Sequence, residues 1–337
     1  MNNELTYVEG AKKLIDSVKD NFKDQIIILS TESKTDVCQY VLKAAKELGI
    51  NDLIYILVPD ILRPAKNVPT PLIKAITGAT ALIHIMDRLV EEDYAFNRVV
   101  RAICEKDRCK YLFLYDCKPN YLGEGINADY EAVDRKAKKV KEILSNAIEV
   151  VVSSKLGTSL SFKLYDIMKA RSPLFRATSR NQAPEGEVTA CPIEKSFNGR
   201  LVVDGTLTSL GKIKQPMVWD FKEGQVINVE GNKQELDDLL KILKSQGGDE
   251  KLNSLIGMWI AEFALGTNDW SVYDENNSNN EKVSGTIHFG MGMTAGNLGI
   301  DRGEKYHFDS IVTKPTVVVE ESEDKEIKLI EEGTLLI

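Results

Sequence analysis

The sequence predicts an α/β N-terminal domain with a mainly parallel sheet, followed by an α+β C-terminal domain. Two observations carry this. Over the first 150 residues, short apolar, β-branched runs alternate with helical patterns, as expected of strands covered on both faces by crossover helices. After about residue 155 the texture changes to β-like segments punctuated by glycine, with two helical patterns among them.

The strand candidates of the first half are "QIIILS", "DLIYILV", "ALIHIM", "YLFLYD" and "IEVVVSS". Between them lie "TDVCQYVLKAAKELG", with Thr35 or Asp36 as cap and Gly49 as stop, then "YAFNRVVRAICEK" and "YEAVDRKAKKVKEILSNA". No G-x-G-x-x-G follows the first strand; "STESKTD" contains no glycine, which argues against a dinucleotide site of the usual kind. In the second half "SLSFKL", "NGRLVVDGTL", "SGTIHFGMGM" and "SIVTKPTVVVE" read as strands, and "VWDFKEGQVINV" as a hairpin through Glu223-Gly224. "KQELDDLLKILKSQ" and "DEKLNSLIGMWIAEFALG" read as helices. The asparagine-rich "DENNSNNEK" (274–282) reads as an exposed loop tip. The boundary falls in 155–180, giving domains 1–165 and 166–337.

Bulk properties narrow the function. The chain has 337 residues, 43% hydrophobic and 28% charged, which fits a soluble globular protein of two ordinary domains. A net charge of −8, with no basic cluster interleaved with aromatics, argues against general nucleic-acid binding. The N-terminus lacks a signal pattern, and no apolar run approaches the roughly 18 residues of a membrane span. The expectation is a cytoplasmic protein without membrane or nucleic-acid partners. The five cysteines are odd in number and lack disulfide spacing. Cys104, Cys109 and Cys117 lie close together but read better as small buried hydrophobes than as zinc ligands.

Four places in the second half set an ionisable group inside apolar or glycine-rich sequence: Glu187 in "APEGEVTACP", Glu262 in "IAEFALGTN", His288 in "GTIHFGMG", and the pair His307/Asp309 in "GEKYHFDSIV". On a helix of about 100° per residue, the apolar residues from Leu252 to Phe263 span an arc of about 140°, with Glu262 about 20° outside its edge. It would either snorkel to water or be held by a partner. His307 and Asp309, at i and i+2, leave the same face of an extended segment. They could form a hydrogen-bonded pair on a sheet surface or grip a metal. Together the four places offer imidazole and carboxylate, the donor set of zinc, manganese, iron or cobalt, in numbers sufficient for one or two ions per chain. His84, in "ALIHIM", reads as a core or strand-end histidine or as a substrate contact.

Five blocks in order, "NQAPEGEV", "NGRLVVDG", "IAEFALGTN", "EKVSGTIHFGMG" and "HFDSIVTKPTV", resemble the aminopeptidase T/aminopeptidase S family (the M29 metallopeptidases). They also resemble its aminopeptidase-like branch, which includes 2,5-dihydroxypyridine 5,6-dioxygenase. The resemblance implies a C-terminal domain carrying the metal site, with Glu187, Glu262, His288, His307 and Asp309 as ligands, Glu187 or Glu262 also serving as the water-activating base, and a homodimer. One departure is that Ala295 stands where the peptidases keep a tyrosine, seven residues after the H-x-x-x-G histidine; Tyr306 is near in sequence. The activity implied first is a metal-dependent hydrolase that cleaves a peptide or small amide bond. The alternative is a mononuclear iron(II) ring-cleaving dioxygenase using His307, Asp309 and either His288 or Glu262. A non-catalytic binding protein on the same scaffold is a further one.

Overall fold

In the computed structural model, which describes residues 3–19, 25–175, 180–245, 254–294, 300 and 305–337, four of the apolar runs form a parallel sheet. Its order is Leu53–Val58, Ile26–Thr31, Ala81–Met86, Lys110–Tyr115 and Arg180–Gln182. The sheet belongs to a unit made of Met1–Glu131 and Ser172–Glu185. Its central strands are continuously apolar because both faces are covered. Ile26, Ile28, Ile83 and Leu112 pack with Val8, Leu14 and Val41 of the helices Asn3–Val18 and Thr35–Glu47. Their chain neighbours Ile27, Leu29, Leu82 and Tyr111 pack with Leu72, Ile76, Phe96 and Val100. Alternate side chains thus enter two separate cores. The Thr35–Glu47 helix stops at Gly49, whose φ is +71°. Its N-cap is Lys34, without a side-chain hydrogen bond. Thr35 and Asp36 satisfy other groups: Thr35 Oγ1 donates to the Glu32 carbonyl and Asp36 Oδ1 accepts from Val37 N.

Two features differ from the sequence reading of the first half. The run "IEVVVSS" (strand Glu149–Ser153) pairs antiparallel with Ser159–Phe162 and Thr316–Ser322 in a different sheet. The helix Tyr130–Ser145 joins that second unit from Ala132 onward. The fifth parallel strand is instead Arg180–Gln182, so the chain returns to the first sheet after leaving it. An apolar run records that a strand is buried, not which partner it finds. The compact units therefore divide at 131/132, with 172–185 restored to the first, rather than at 165.

The second unit, Ala132–Arg171 with Gly186–Ile337, contains two antiparallel sheets of eight and seven strands. The hairpin Met217–Lys222/Gln225–Glu230 turns at Glu223 and Gly224, with φ of +50° and +81°, both in the left-handed region that tight hairpins favour. The helix Lys233–Ser245 forms where the pattern predicts it. The helix expected over 249–266 does not extend through its second half. Ile260–Gly266 is a fully buried strand between Ile287–Gly292 and Glu187–Pro192. The reason is visible in "IAEFALG". Phe263 and Leu265 enter the core while Glu262, Ala264 and Gly266 face the other way, a period of two. Residues 249–253 lie outside the described residues.

"DENNSNNEK" is not an exposed tip. It contains a short helix, Asn277–Asn280, whose Asn277, Asn279 and Asn280 are buried. Thr206 Oγ1 donates to Asn277 Oδ1 at 2.8 Å, and Asn279 Nδ2 donates to the Val272 carbonyl at 2.7 Å. Asparagine clusters look solvated in sequence because nothing there shows which backbone groups they satisfy. The five cysteines are buried and none forms a disulfide among the described residues. No described helix is long and apolar enough to cross a membrane.

His84 is fully buried and shares a 2.9 Å hydrogen bond between Nδ1 and Tyr111 Oη. Burial, with the Arg63 charge, pulls its pKa down to about 3. A depressed histidine pKa means the unfolded chain binds the extra proton first, so stability should be full above about pH 6.5 and fall at up to ~1.4 kcal/mol per pH unit towards pH 3. Hydrogen-exchange protection of strand Ala81–Met86 should show that fall in the native chain, and His84→Gln should flatten it. An equal slope in both would refute the assignment.

Candidate metal centre

The seven-stranded sheet has one apolar and one ionisable face. Phe263, Leu265, Phe289, Met291, Phe308 and Val312 enter the core of the unit, where the Phe263 and Phe289 ring centroids lie 5.4 Å apart. The opposite face is read from the strand register. Glu262 lies opposite Gly290, and Gly290 opposite Asp309; Gly292 lies opposite His307, Ala264 opposite His288, and Gly266 opposite Glu187. The alternation that sends aromatic rings inward therefore sends all five candidate ligands to one side.

There they gather into two groups, each with ligand atoms within 4.8 Å of one another: Glu262, His307 and Asp309, and Glu187, Glu281 and His288. Of the residues singled out in the sequence, three form the first group and two join the second. Glu281 was not anticipated, nor was Lys282, whose Nζ lies 2.5 Å from Glu187 Oε2 and 3.2 Å from Glu281 Oε2. Arg171 Nε lies 3.5 Å from Glu187 Oε1. The available signal was the small residues. Ala264, Gly266, Gly290 and Gly292 alternate with large apolar ones, marking a face that other atoms occupy.

The first group is shaped for an ion. A Cβ on Gly290 would lie 2.6 Å from His307 Cε1, 2.9 Å from Asp309 Oδ1 and 2.9 Å from Glu262 Cβ, so only glycine leaves the three donors in place. His307 Nδ1 hydrogen-bonds the Met293 carbonyl at 2.5 Å, which directs Nε2 at Asp309 Oδ1 (3.0 Å) and Glu262 Oε2 (3.6 Å). An imidazole tethered through one nitrogen presents the other in a fixed direction, as metal-binding histidines do. Two carboxylates and one imidazole suit a divalent zinc, cobalt, manganese or iron ion. In the second group, His288 Nδ1 is buried and lacks a hydrogen-bond partner among the described residues, leaving it available to a further ligand.

The charges differ between the groups. Burial and the neighbouring Asp309 carboxylate push Glu262 up to about 7. Burial opposes protonation of His307, but the charge and hydrogen bond of Asp309, with Glu262, outweigh it and raise it to about 10. Asp309, although buried, is held well below the usual carboxylate range by His307. Burial likewise works to raise Glu187, but Lys282, Arg171 and His288 hold it below its ordinary value. Ala295 lies outside the described residues. Tyr306 packs in the apolar core of the unit.

This fold places two candidate divalent-ion sites on one face of a single sheet. The profile of the family described as NicX: 2,5-dihydroxypyridine 5,6-dioxygenase matches residues 15–335, and the chain belongs to that family. No curated protein matches it. Among solved structures, the 2,5-dihydroxypyridine dioxygenase of Pseudomonas putida KT2440 superposes with a TM-score of 0.69 at 15% identity, over 100% of this chain and 98% of that one. Wild-type AmpT from Thermus thermophilus does so with a TM-score of 0.69 at 13% identity, over 98% and 99%.

Two outcomes follow. Gly290→Ala should leave a folded protein whose affinity for a divalent ion falls by at least ~100-fold, since the methyl group must displace His307 or Asp309; calorimetric titration would show it, and unchanged affinity would contradict the site. With His307 protonated below about pH 10, an ion binding at pH 7.5 must displace that proton. Titrations in buffers of different ionisation enthalpy should show about one proton or more released per ion, with affinity weakening as pH falls.

Proposed function

We propose that this chain is an iron(II)-dependent dioxygenase that opens a hydroxylated pyridine-type ring, its ion held by Glu262, His307 and Asp309, with His288 beside them. The observation that supports it is the gathering of these three donors around Gly290 in a chain matched over 15–335 by a dioxygenase family profile. Ferrous iron bound there would supply the electrons that activate dioxygen and open coordination positions for substrate oxygens. The protein's own contribution is placement. Met293 fixes the His307 ring, the lack of a side chain on Gly290 leaves the three donors in place, and the apolar sheet beneath excludes water from one side. The His307 and Asp309 side chains keep 22% and 14% of their surface, against 6% for Glu262, so the open flank of the group is on their side. A flat ring would approach along that flank.

The hydrolase reading keeps one observation in its favour: two groups of possible ligands stand on one sheet face, as a two-ion centre requires. The two readings part on a single experiment. Protein reconstituted anaerobically with ferrous iron and then exposed to oxygen should consume about one dioxygen per ring opened on a panel of dihydroxypyridines. Groups that merely orient a metal ligand are worth roughly 10–100-fold, so His307→Ala, Asp309→Ala and Glu262→Gln should each lose ~100-fold or more. Absence of uptake across the panel, with amide or peptide cleavage by the zinc-, cobalt- or manganese-loaded chain, would replace the dioxygenase by the hydrolase. Absence of both turnovers would leave a binding protein.

A further inference from the structure

We propose that the Lys282 ammonium is a built-in cation filling the Glu187–Glu281–His288 group, so that each chain takes one divalent ion, at Glu262–His307–Asp309, rather than two. The inference rests on the reading of that triad as the metal site. It adds what the neighbouring group is for.

Three observations carry it. The first is occupancy. Lys282 is 2% exposed, and its Nζ reaches one oxygen of each carboxylate, Glu187 Oε2 at 2.5 Å and Glu281 Oε2 at 3.2 Å. Those are carboxylates that a second ion would need. The second is delivery. A Cβ on Gly266 would lie 2.1 Å from the Val283 carbonyl oxygen and 2.9 Å from Lys282 C, so the 282–283 backbone can lie against the sheet only because residue 266 is glycine. Lys282 N donates to the Asn279 carbonyl, and the Lys282 carbonyl accepts from Asn268 N, at 3.0 and 2.9 Å. Asn277 donates to Glu281 Oε1 at 2.7 Å and thereby fixes the second carboxylate. The lysine is built into this position by the elements on both sides of it.

The third is contrast. An ion on the same oxygens would face the ammonium at a few ångströms in a poorly screened interior, where like charges repel strongly. Arg171 adds a second positive charge on the other oxygen of Glu187. Around the triad, the ion pairs of Glu262 and Asp309 among the described residues are with His307. One group carries its own fixed cation in direct contact; in the other the contact is a histidine that an ion can replace, and Lys282 acts on Asp309 more weakly than His307 does. Lys282 is thus a positioning residue, holding Glu187 and Glu281 in place without metal.

The test is an ion count, read independently of turnover. Ion-free full-length chain is titrated with manganese(II) and with zinc(II), and bound ion per chain is measured by elemental analysis after desalting. Wild type and Lys282→Arg should saturate at one ion. Lys282→Ala, which vacates the space, should saturate at two. Glu187→Gln should change the affinity of the single ion by less than about threefold, and His307→Ala should abolish it. Two ions in wild type, one ion in a folded Lys282→Ala, or loss of the ion in Glu187→Gln would each overturn the proposal. Should Lys282→Ala fail to fold, the wild-type count and Glu187→Gln decide. One ion per chain without oxygen uptake would overturn the dioxygenase and leave this inference standing; no bound ion would overturn both.

Discussion

The centre depends on one constraint, the two-residue period of the strands Glu187–Pro192, Ile260–Gly266, Ile287–Gly292 and His307–Val312. Because odd and even positions point to opposite faces, the same pairing that packs Phe263 on Phe289 also stands Glu262, Gly290 and Asp309 side by side across three strands. A slip of one residue in Ile260–Gly266 or His307–Val312 would exchange ring for carboxylate and disrupt the core and the site together. The ionisable face is therefore placed by hydrophobic burial on the other side. The buried aromatic side chains, each worth about 1.5–3 kcal/mol on burial, set the register that brings the ligands within reach of one another.

That constraint explains what was legible in the sequence. Four parallel strands, the helices Thr35–Glu47 and Arg98–Lys106 and the Glu223-Gly224 hairpin were readable because local pattern and final structure agree, whereas the helices Asn3–Val18 and Thr70–Ile76 were not singled out. The HxD pair was readable because two residues on one extended strand share a face whatever the strand pairs with. Glu262 was flagged as misplaced for the wrong geometric reason. The apolar residues of 249–266 fit a helical stripe as a whole, yet in its last seven residues alternation and pairing on both sides prevail. Glu281 and Lys282 were hidden in a polar stretch whose asparagines are satisfied by Thr206 and the Val272 carbonyl, distant contacts that no local pattern encodes. The strand Arg180–Gln182 is too short and polar to show as a sheet member, so the return of the chain to the first unit was equally hidden.

Lys282 also illustrates how a buried charge is tolerated. Transfer of a lone ammonium into the interior is costly, and removal of one partner from a buried pair typically destabilises by about 3–5 kcal/mol. Here two carboxylates and a rigid backbone seat meet that cost. The arrangement is not the most stable way to fill the space, since an apolar side chain of similar volume often serves as well. A buried ion pair beside a candidate ion-binding triad is better understood through the field it sets. It keeps Glu187 anionic next to His288 while contributing no exchangeable cation.

Fold similarity does not choose between the dioxygenase and hydrolase readings, because the dioxygenase and AmpT superpose on the chain equally well, both with a TM-score of 0.69. On the proposed reading the choice lies in charge. A hydrolase that shares a hydroxide between two ions needs two sets of carboxylates free of competing cations. In this chain one set is neutralised from within, by a lysine held where a glycine lets its backbone touch the sheet. The other set, around Gly290, has a tethered imidazole and a partly exposed flank. One ion with open positions is the arrangement that activation of dioxygen beside a bound substrate requires.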